Sequence, residues 1–425
     1  IRISCSRANT LHGADDDTDA SEFLSFSKFM KQCYGVGLIG AGIIAREHLA
    51  AFAALPNEAR MIGVAETDAG KLRQLTGSHF IPIATQDFRE LLDREDIDLI
   101  DVCVPPQHHE EVVVAALEAG KHVVCEKPLA HNLAAADRIL AAAAKSEGRL
   151  GVIHQYRYLP EVQRMRAAWA SGLCGDPWFA SFVRWGRLRG SRAIQSGWWG
   201  DWETAGGGAV TTQFIHELDL LLHFFGEAAR VRGRMGTFLD GIESEDSFTA
   251  EIRMQSGAMV SCACTLTGSR NENRYDLFGE HASLHFPWKV GAAERELQRE
   301  LEAIGHQACP PIPVPSRALP ARVNRKLRRM AGVYRESVEL SPHAHYFRDF
   351  LQALESGEDV PVPGEDGRRA LALTVAIYEA ALTSEAVGVE IGSGHRFYEG
   401  LRRNDFRKGV LRDRQKSPGL GEVLS

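Results

Sequence analysis

Two short segments of this chain carry residue types that suit chemistry on a bound nucleotide. The first, Gly37–Ala45, is rich in glycine, and the second, Glu126–Pro128, ends the apolar run His122–Cys125. A glycine-rich turn at the start of a helix can hold phosphate, and the second segment places a lysine ammonium beside whatever that turn binds. Together the two segments indicate redox chemistry with a nicotinamide cofactor.

The glycine-rich segment follows Tyr34–Ile39, a short apolar run that is typical of a buried parallel strand. Residues 40–45 fit the pattern G-x-G-x-x-G/A, in which the first glycine allows a tight turn and the second lets a pyrophosphate approach the backbone. The following helix, predicted for Ala45–Leu55, points its positive end at phosphate. The turn residues predicted to bind the cofactor are Gly40, Gly42, Ile43 and Ile44. Such turns also occur for packing reasons alone.

An acidic residue stands where a dinucleotide-binding fold contacts ribose. The next predicted strand, Arg60–Ala65, ends at Glu66, about 20 residues after the turn. A carboxylate there accepts hydrogen bonds from both ribose hydroxyls of the adenosine half and repels a 2′-phosphate. No arginine follows before Arg73, so the sequence favours NAD over NADP.

Composition limits the classes of protein that fit. At 425 residues the chain is long enough for two domains, and its formal net charge of −7 argues against a nucleic-acid-binding surface. No apolar run reaches the roughly 20 residues that a membrane-spanning helix needs. The eight cysteines lack the spacing of a zinc site, so no metal is predicted and free thiols in a reducing cytoplasm are expected.

The pattern of apolar runs changes near residue 156. From Tyr34 to about Leu150 predicted strands alternate with helices, which indicates an α/β fold with parallel strands in a doubly wound Rossmann sheet. Beyond that point two-residue alternation predicts a large, mainly antiparallel open sheet. Its predicted strands are 178–187, 229–237, 247–254, 258–267 and 275–278, with helices at 161–171, 294–303, 343–355 and 367–383. The predicted domains are 34–155 and 156–397, and the last two helices are expected to pack back on the first.

Four stretches are predicted to stay outside the packed core. Residues 1–33 are interpreted as a disordered extension, because an acidic run interrupts them and they have no long apolar centre. The proline-rich stretch 310–320 and the basic stretch 322–335 are predicted to form an inserted loop that covers the sheet edge. Residues 398–425 are predicted to form a polar tail.

By its motifs the chain resembles the glucose–fructose oxidoreductase / inositol dehydrogenase / MocA (Gfo/Idh/MocA) family of NAD(P)-dependent oxidoreductases, over roughly residues 34–391. The matching segments, in order, are Gly37–Ala45, Val102–Pro106 with His108 and His109, Gly120–Pro128, Gly206–Gly208 leading to His216 and Asp219, and His345–Phe350 with Pro363–Gly367. The resemblance implies a Rossmann domain followed by an α/β domain whose large open sheet commonly forms dimers or tetramers.

The resemblance also implies roles for residues around the nicotinamide. Lys127 is expected to stabilise a developing alkoxide, with a cis bond before Pro128, and Glu126 to contact the nicotinamide ribose. Pro105 and His108 are expected beside the same ribose. The three glycines 206–208 are interpreted as a flexible approach to the substrate.

His216 is the predicted general acid/base, since the unperturbed pKa of histidine suits exchange of a hydroxyl proton. Thr212 lies four residues earlier and is expected on the same helix face, where many members of the family carry Asp. Threonine offers only a neutral hydrogen bond, so this departure leaves the substrate open and weakens the case for simple inositol oxidation. Thr212 and His216 are also predicted to contact the substrate, and Asp219 is predicted to bind substrate or to orient a neighbour.

Two further side chains are candidates for substrate binding. Arg157, at the start of the second domain, can clamp a hydroxyl, carboxylate or phosphate, or pair within the structure. Trp199 precedes the three glycines and can cover the C–H face of a sugar or pack in an aromatic lid.

These observations predict a cytoplasmic, homodimeric or homotetrameric oxidoreductase that transfers a hydride between NAD and a secondary alcohol or ketone of a sugar, cyclitol or sugar derivative. Two alternatives stay open: a lyase-like or glycosidase-like enzyme that recycles tightly bound NAD within each turnover, and a non-catalytic, cofactor-binding regulatory protein. Thr212 and the basic stretch 322–335 motivate the last alternative, whereas Lys127 and His216 argue against it. Neither a nucleic acid nor a membrane is an expected partner.

Overall fold

The computed structural model describes residues 33–187, 199–239, 242–310, 340–402 and 405. The predicted extension at the start of the chain, the proline-rich and basic stretches after residue 310, and the tail beyond residue 405 lie outside the described residues.

The first sheet has six parallel strands in the order β3-β2-β1-β4-β5-β6. Its strands are β1 Tyr34–Ile39, β2 Ala59–Ala65, β3 Ile83–Thr85, β4 Leu99–Val102, β5 His122–Glu126 and β6 Leu150–Ile153. The helices between them are α1 Ala45–Ala53, α2 Ala69–Thr76, α3 Arg89–Leu92, α4 His109–Glu118 and α5 Leu133–Ala143. This strand order confirms the predicted doubly wound Rossmann sheet, whose ligand crevice opens where the order reverses between β1 and β4.

Strand register brings the motifs of the first domain to one edge of this sheet. Ile39 pairs with Val102, and Val102 pairs with Cys125, so the residues that follow these strands emerge side by side at their carboxyl ends. The strands are buried, as expected for a parallel sheet covered on both faces; Val36 and Leu38 of β1 have no exposed surface. The glycine turn and Glu126 therefore lie at the same edge of the sheet although they are far apart in sequence.

The second sheet has eight strands in the order β13-β12-β11-β7-β10-β9-β8-β14. They are β7 Pro177–Arg187, β8 Ala228–Gly236, β9 Ser247–Met254, β10 Met259–Thr265, β11 Thr267–Gly279, β12 Ala282–Phe286, β13 Lys289–Ala292 and β14 Val387–Gly388. The helices of this part are α6 Pro160–Ala170, α7 Trp202–Ala205, α8 Ile215–Phe225, α9 Arg295–Ala308, α10 Pro342–Ser356 and α11 Gly364–Thr383. Among the described strands of this second sheet only the β7–β10 pair is parallel, which confirms a mainly antiparallel sheet.

The sequence prediction of this sheet was incomplete at both edges. The strand predicted at 275–278 belongs to β11, which begins at Thr267, and β12 and β13 were not predicted, nor was β14 at the other edge. Alternation detects a strand only where one of its faces joins an apolar core. Residues 267–274 of β11 have no buried side chains, and Asn271 to Asn273 line an open cavity instead, so they are polar on both faces.

Both closing helices pack on the first domain, and the second of them also contacts the second sheet. Ser341 caps α10 by accepting a hydrogen bond from the Ala344 N–H, and Phe347 on this helix packs on Phe52 of α1 with ring centroids 4.1 Å apart. Helix α11 contacts α5 and β6 of the first domain and α8 and β8 of the second. Among the described residues, no helix combines the length and apolar character needed to cross a membrane.

Candidate active site

The glycine turn has the backbone that its sequence predicts. Gly40 has φ +101°, and a Cβ atom there would lie 2.6 Å from the carbonyl oxygen of Cys103, so both conformation and space require glycine. At Gly42 the nearest atom to such a Cβ is 4.0 Å away, which leaves the turn open for a ligand. Ile43 is exposed and Ile44 half-buried at the start of α1. The turn, the helix and the open approach fit a dinucleotide pyrophosphate.

Glu66 lies at the rim of this turn. It follows β2 directly, and its Oε2 accepts a 2.9 Å hydrogen bond from the Ala41 N–H. Its Oε1 accepts another from the Asp68 N–H at 3.0 Å. The carboxylate is thereby fixed beside the phosphate turn, where the adenosine ribose of a dinucleotide lies.

Glu126 and Lys127 emerge at the end of β5. The buried Glu126 carboxylate accepts the N–H of Lys127 at 3.0 Å, and the Lys127–Pro128 bond is cis, as the resemblance implied. Lys127 Nζ donates a 2.9 Å hydrogen bond to the backbone carbonyl of Thr212. Burial lowers the pKa of Lys127 from its ordinary value. The ammonium therefore reaches from the first sheet to the segment that precedes α8.

The segment that carries Thr212 is not α-helical. Residues Val210–Phe214 form a π-helical turn that leads into α8, and the Thr212 hydroxyl donates to the carbonyl of Gly208 at 2.7 Å. The prediction that Thr212 and His216 share a face assumed α-helical spacing, which this turn does not have. Thr212 thus contributes its backbone carbonyl to Lys127 while its hydroxyl is occupied locally.

His216 is buried at the start of α8. Its ring stacks on Tyr156 with centroids 4.3 Å apart and an angle of 13°, and its Nδ1 has no hydrogen-bond partner among the described residues. Burial, together with the positive charges of Lys127 and Arg184, holds the pKa of His216 well below 6.5. The imidazole is therefore neutral near pH 7 and able to accept a proton.

The three glycines 206–208 do not form the flexible approach that was expected. All three are buried, and a Cβ atom on Gly208 would lie 2.0 Å from the carbonyl oxygen of Glu245. The Glu245 carboxylate accepts the N–H groups of Gly208 at 3.1 Å and Val210 at 2.8 Å, and the hydroxyl of Tyr378 at 2.9 Å. Glycine is needed here for close packing, so that interpretation was wrong.

The structure pairs Arg157 and Asp219 with each other. Arg157 donates to both carboxylate oxygens of Asp219 at 2.8 and 2.6 Å, and its Nη1 lies 2.9 Å from Asp366. Both residues are buried. Every nitrogen of the guanidinium therefore has a carboxylate partner, which is the structural pairing that the sequence left open, and a role in substrate binding stays a prediction.

The remaining residues that were predicted to contact substrate or cofactor differ in their burial. Trp199 is buried, and its indole N–H has no partner among the described residues. Pro105 precedes a short 3₁₀ turn, and His108 is exposed at the end of that turn. The neighbouring His109 is buried, with its ring nitrogens 2.9 Å from the carbonyl oxygens of Pro128 and Val104, so it supports the loop after β5.

A polar network beside His216 was not predicted. Arg184 on β7 donates to the hydroxyl of Tyr156 at 2.9 Å and to the buried carboxylate of Glu217 at 3.1 Å, and Tyr275 donates to the same carboxylate. A cavity of about 590 Å³ adjoins this network. Its polar lining residues are Tyr156, Arg184, Arg187, Gln213, Asn271, Glu272 and Asn273. The alternation of β7 was visible in sequence, but nothing there marked Arg184 as an inward-facing cation.

Comparisons with known proteins agree with this geometry. Residues 34–154 match the family described as "Oxidoreductase family, NAD-binding Rossmann fold", and residues 162–285 match the GFO/IDH/MocA C-terminal domain. The chain is 28% identical to the 1,5-anhydro-D-fructose reductase of Ensifer adhaerens over 364 residues, which cover 84% of this chain and 98% of the relative. It is 24% identical, with the same coverage, to the myo-inositol 2-dehydrogenase of Thermotoga maritima.

A solved structure shares the fold over most of this chain. The WlbA dehydrogenase from Bordetella pertussis, in complex with NADH and UDP-GlcNAcA, is 21% identical and superposes with a TM-score of 0.70 over 85% of this chain and 99% of that chain. The doubly wound sheet, its glycine turn and the carboxylate at the turn define an NAD-binding oxidoreductase. Because the two matched domains span more than half of the chain, this protein belongs to the Gfo/Idh/MocA family.

Proposed function

We propose that this protein transfers a hydride between NAD and a secondary alcohol or ketone of a sugar, cyclitol or related polyol, with Lys127 and His216 as its catalytic residues. The observation that carries the proposal is the 2.9 Å hydrogen bond from Lys127 Nζ to the carbonyl of Thr212, four residues before His216. It brings an ammonium from one proposed domain, 34–155, to the turn on the other, 156–397, that leads into the helix of His216, whose neutral imidazole is influenced by the charge of Lys127. The two groups thus lie at the ligand-binding edge of the Rossmann sheet.

The two side chains supply complementary functions in alcohol oxidation. His216, held neutral by burial and by the cations around it, accepts the hydroxyl proton. Lys127 donates a hydrogen bond to the oxygen as negative charge develops on it. The carbinol carbon would transfer its hydride to bound NAD, so that the substrate loses one proton and one hydride in total. In the reverse direction protonated His216 returns the proton to the reduced oxygen.

The cavity beside His216 favours a neutral, hydroxyl-rich substrate. Its lining offers amide, guanidinium, phenol and carboxylate groups, and the charge of Arg184 is already matched by Glu217 at 3.1 Å. The cavity therefore offers an anionic substrate group less uncompensated positive charge than its two arginines suggest. The names of two relatives, a reductase of 1,5-anhydro-D-fructose and a myo-inositol dehydrogenase, support the same substrate class.

The other parts of the site support an NAD-dependent cytoplasmic oligomer. Glu66 at the ribose site disfavours the 2′-phosphate of NADP. On the outer face of the second sheet, Phe179, Met259 and Phe278 form an exposed cross-strand row, which supports association of this face in a homodimer or homotetramer. The cysteines of the described residues are free thiols, which supports a reducing compartment.

The direct test measures absorbance of reduced nicotinamide with purified protein, NAD or NADP, and a panel of sugars, cyclitols and nucleotide sugars. We expect NADH to accumulate with NAD and with one class of neutral polyol. If no substrate yields net NADH while denatured protein releases bound cofactor, the internally recycling enzyme is supported instead. If the protein neither reduces nor binds the dinucleotide, the proposed function is wrong.

A further inference from the structure

A fully buried histidine joins the helix of the glycine turn to Glu126. His48 lies in the first turn of α1, and its Nδ1 is 2.9 and 3.0 Å from the two carboxylate oxygens of Asp101 on β4. Its Nε2 is 3.1 Å from Oε1 of Glu126. His48 and Asp101 have no exposed surface, and Glu126 is 5% exposed. One imidazole thus bridges two carboxylates within the protein interior.

The charges around this imidazole favour its protonated form. The groups that face it from the packed elements are Asp101, the thiol of Cys103, Glu126 with the adjacent Lys127, and His343 from α10. Only an imidazolium can donate hydrogen bonds from both nitrogens at once, and both neighbours are carboxylates. With Lys127 also protonated, the cations of His48 and Lys127 balance the carboxylates of Asp101 and Glu126.

The pKa shifts of His48, Glu126 and His343 agree with this assignment; the pKa of Asp101 is raised by burial, although His48 acts to lower it. Burial acts to lower the pKa of His48, but Asp101 and Cys103 outweigh it and hold that pKa well above 6.5. Burial acts to raise the pKa of Glu126, but His48 and then Lys127 lower it to about 2. Burial and the charge of His48 lower the pKa of His343 to about 4, so this second imidazole is neutral.

We propose that His48 is a positioning residue that, as an imidazolium, keeps the Glu126 carboxylate ionised and aimed at the nicotinamide ribose, an inference that rests on the proposed contact of Glu126 with the cofactor. Glu126 uses Oε1 for His48 and Oε2 for the Lys127 N–H, so its plane is fixed from two sides. Because His48 belongs to the helix that begins at the glycine turn, it also ties the phosphate site to the ribose site.

The test measures the dissociation constant of NADH by fluorescence, using the full chain at pH values from 5.5 to 8.5. We expect Glu126→Gln to weaken binding by about tenfold at every pH, because it loses a charge-assisted hydrogen bond. His48→Asn is expected to bind NADH within about threefold of wild type at pH 8.5 and to approach the weak binding of Glu126→Gln at pH 5.5. Without the cation, burial raises the pKa of Glu126, which then takes up a proton in mild acid.

A matched control separates this role from packing. His343 lies against the His48 ring with centroids 5.1 Å apart, but it is neutral, so His343→Asn should change NADH affinity by a factor that does not vary with pH. If His48→Asn weakens binding equally at all pH values, His48 is merely structural and the inference is wrong. If Glu126→Gln binds NADH as well as wild type does, the proposed contact of Glu126 with the cofactor fails instead.

A second measurement does not depend on the stability of the His48 variant. Nitrogen NMR of histidine-labelled wild type should show one imidazolium that persists at pH 7.5 and that shifts in the variant Asp101→Asn; a neutral His48 ring would overturn the inference. Ligand atoms of His48, Glu126 and His343 also lie within 4.8 Å of one another. A stoichiometric metal in the purified protein, whose removal changes NADH affinity, would therefore assign the cluster to metal binding and contradict the proposal.

Discussion

The carboxylate of Glu245 accepts the backbone N–H of Val210 at 2.8 Å, so a side chain from the loop before β9 holds the first residue of the π-helical turn. That turn carries Thr212, whose carbonyl receives Lys127, and it leads directly to His216. Glu245 is fully buried and also accepts from Gly208 and Tyr378. A carboxylate 35 residues away in sequence from Val210 therefore supports both proposed catalytic groups.

Glu245 should make folding stability depend on pH. Burial raises its pKa from 4.5 to about 7 in the folded protein, so between these values the folded state binds more protons than the unfolded state. Stability from this group is therefore present at low pH and lost as pH rises to 7, by roughly 3 kcal/mol. In urea unfolding, the free energy of unfolding of wild type should fall by about this amount between pH 4.5 and 7.5 relative to Glu245→Gln.

The control for this titration is Glu251→Gln, which changes an exposed acid on β9. Its free energy of unfolding should follow that of wild type across the same pH range. Parallel curves for wild type and Glu245→Gln would show that Glu245 is not the titrating group.

His216 should be essential for turnover but not for cofactor binding. Replacing a general base typically costs 10²–10⁴-fold, so we expect His216→Asn to lower kcat at least about 100-fold with little change in NADH affinity. The matched control His223→Asn alters another histidine on the same helix, which the proposed mechanism does not use, and should keep kcat within about threefold of wild type. Equal losses in the two variants would contradict the assignment.

The pH profile offers a further check on the same residue. Because the pKa of His216 lies well below 6.5, its proton-accepting form persists into mild acid. As the pH is lowered, the kcat/KM of the wild type for alcohol oxidation should therefore show no decline with an apparent pKa near 6.5 that is absent in His216→Asn. Such a loss would mean that the imidazole is not shielded as the structure indicates.

Glu66 should determine the choice between NAD and NADP. Replacing it with serine removes the charge that repels a 2′-phosphate, so the ratio of kcat/KM for NADP to that for NAD should rise at least about tenfold. The neighbouring acid Asp68 caps α2 by accepting from Gly70 and Lys71, and Asp68→Ser should leave this ratio within about twofold. An unchanged ratio in Glu66→Ser would place the adenosine ribose elsewhere.

The structure of the first domain could be predicted from sequence because its motifs are local. The glycine turn combines a buried strand, a required positive φ at Gly40 and a helix start within a few residues, so its structure follows from neighbours in the chain. Glu126 and Lys127 end an apolar strand in the same way. The sheet order and the cofactor follow from such units because parallel strands deliver their ends to one edge.

The supporting residues could not be found in this manner. His48 meets Glu126 across 78 residues, and Arg184 meets Glu217 across 33, so only the fold brings these charges together. The prediction that the three glycines form a flexible segment was also wrong, because a glycine needed for close packing against Glu245 cannot be distinguished in sequence from one that gives flexibility. The π-helical turn at Thr212 likewise shifts side chains that α-helical spacing would align.

The measurement that tests the central claim most directly compares Lys127→Met with Lys121→Met in the rate of NADH formation with the preferred polyol. Both lysines donate to backbone carbonyls, but Lys121 does so at the opposite end of β5, to Arg94 and Ile97. We predict that Lys127→Met loses at least about tenfold in kcat with NADH affinity retained, while Lys121→Met keeps the wild-type kcat. Turnover of Lys127→Met within about threefold of wild type would contradict the proposed role of Lys127 in catalysis.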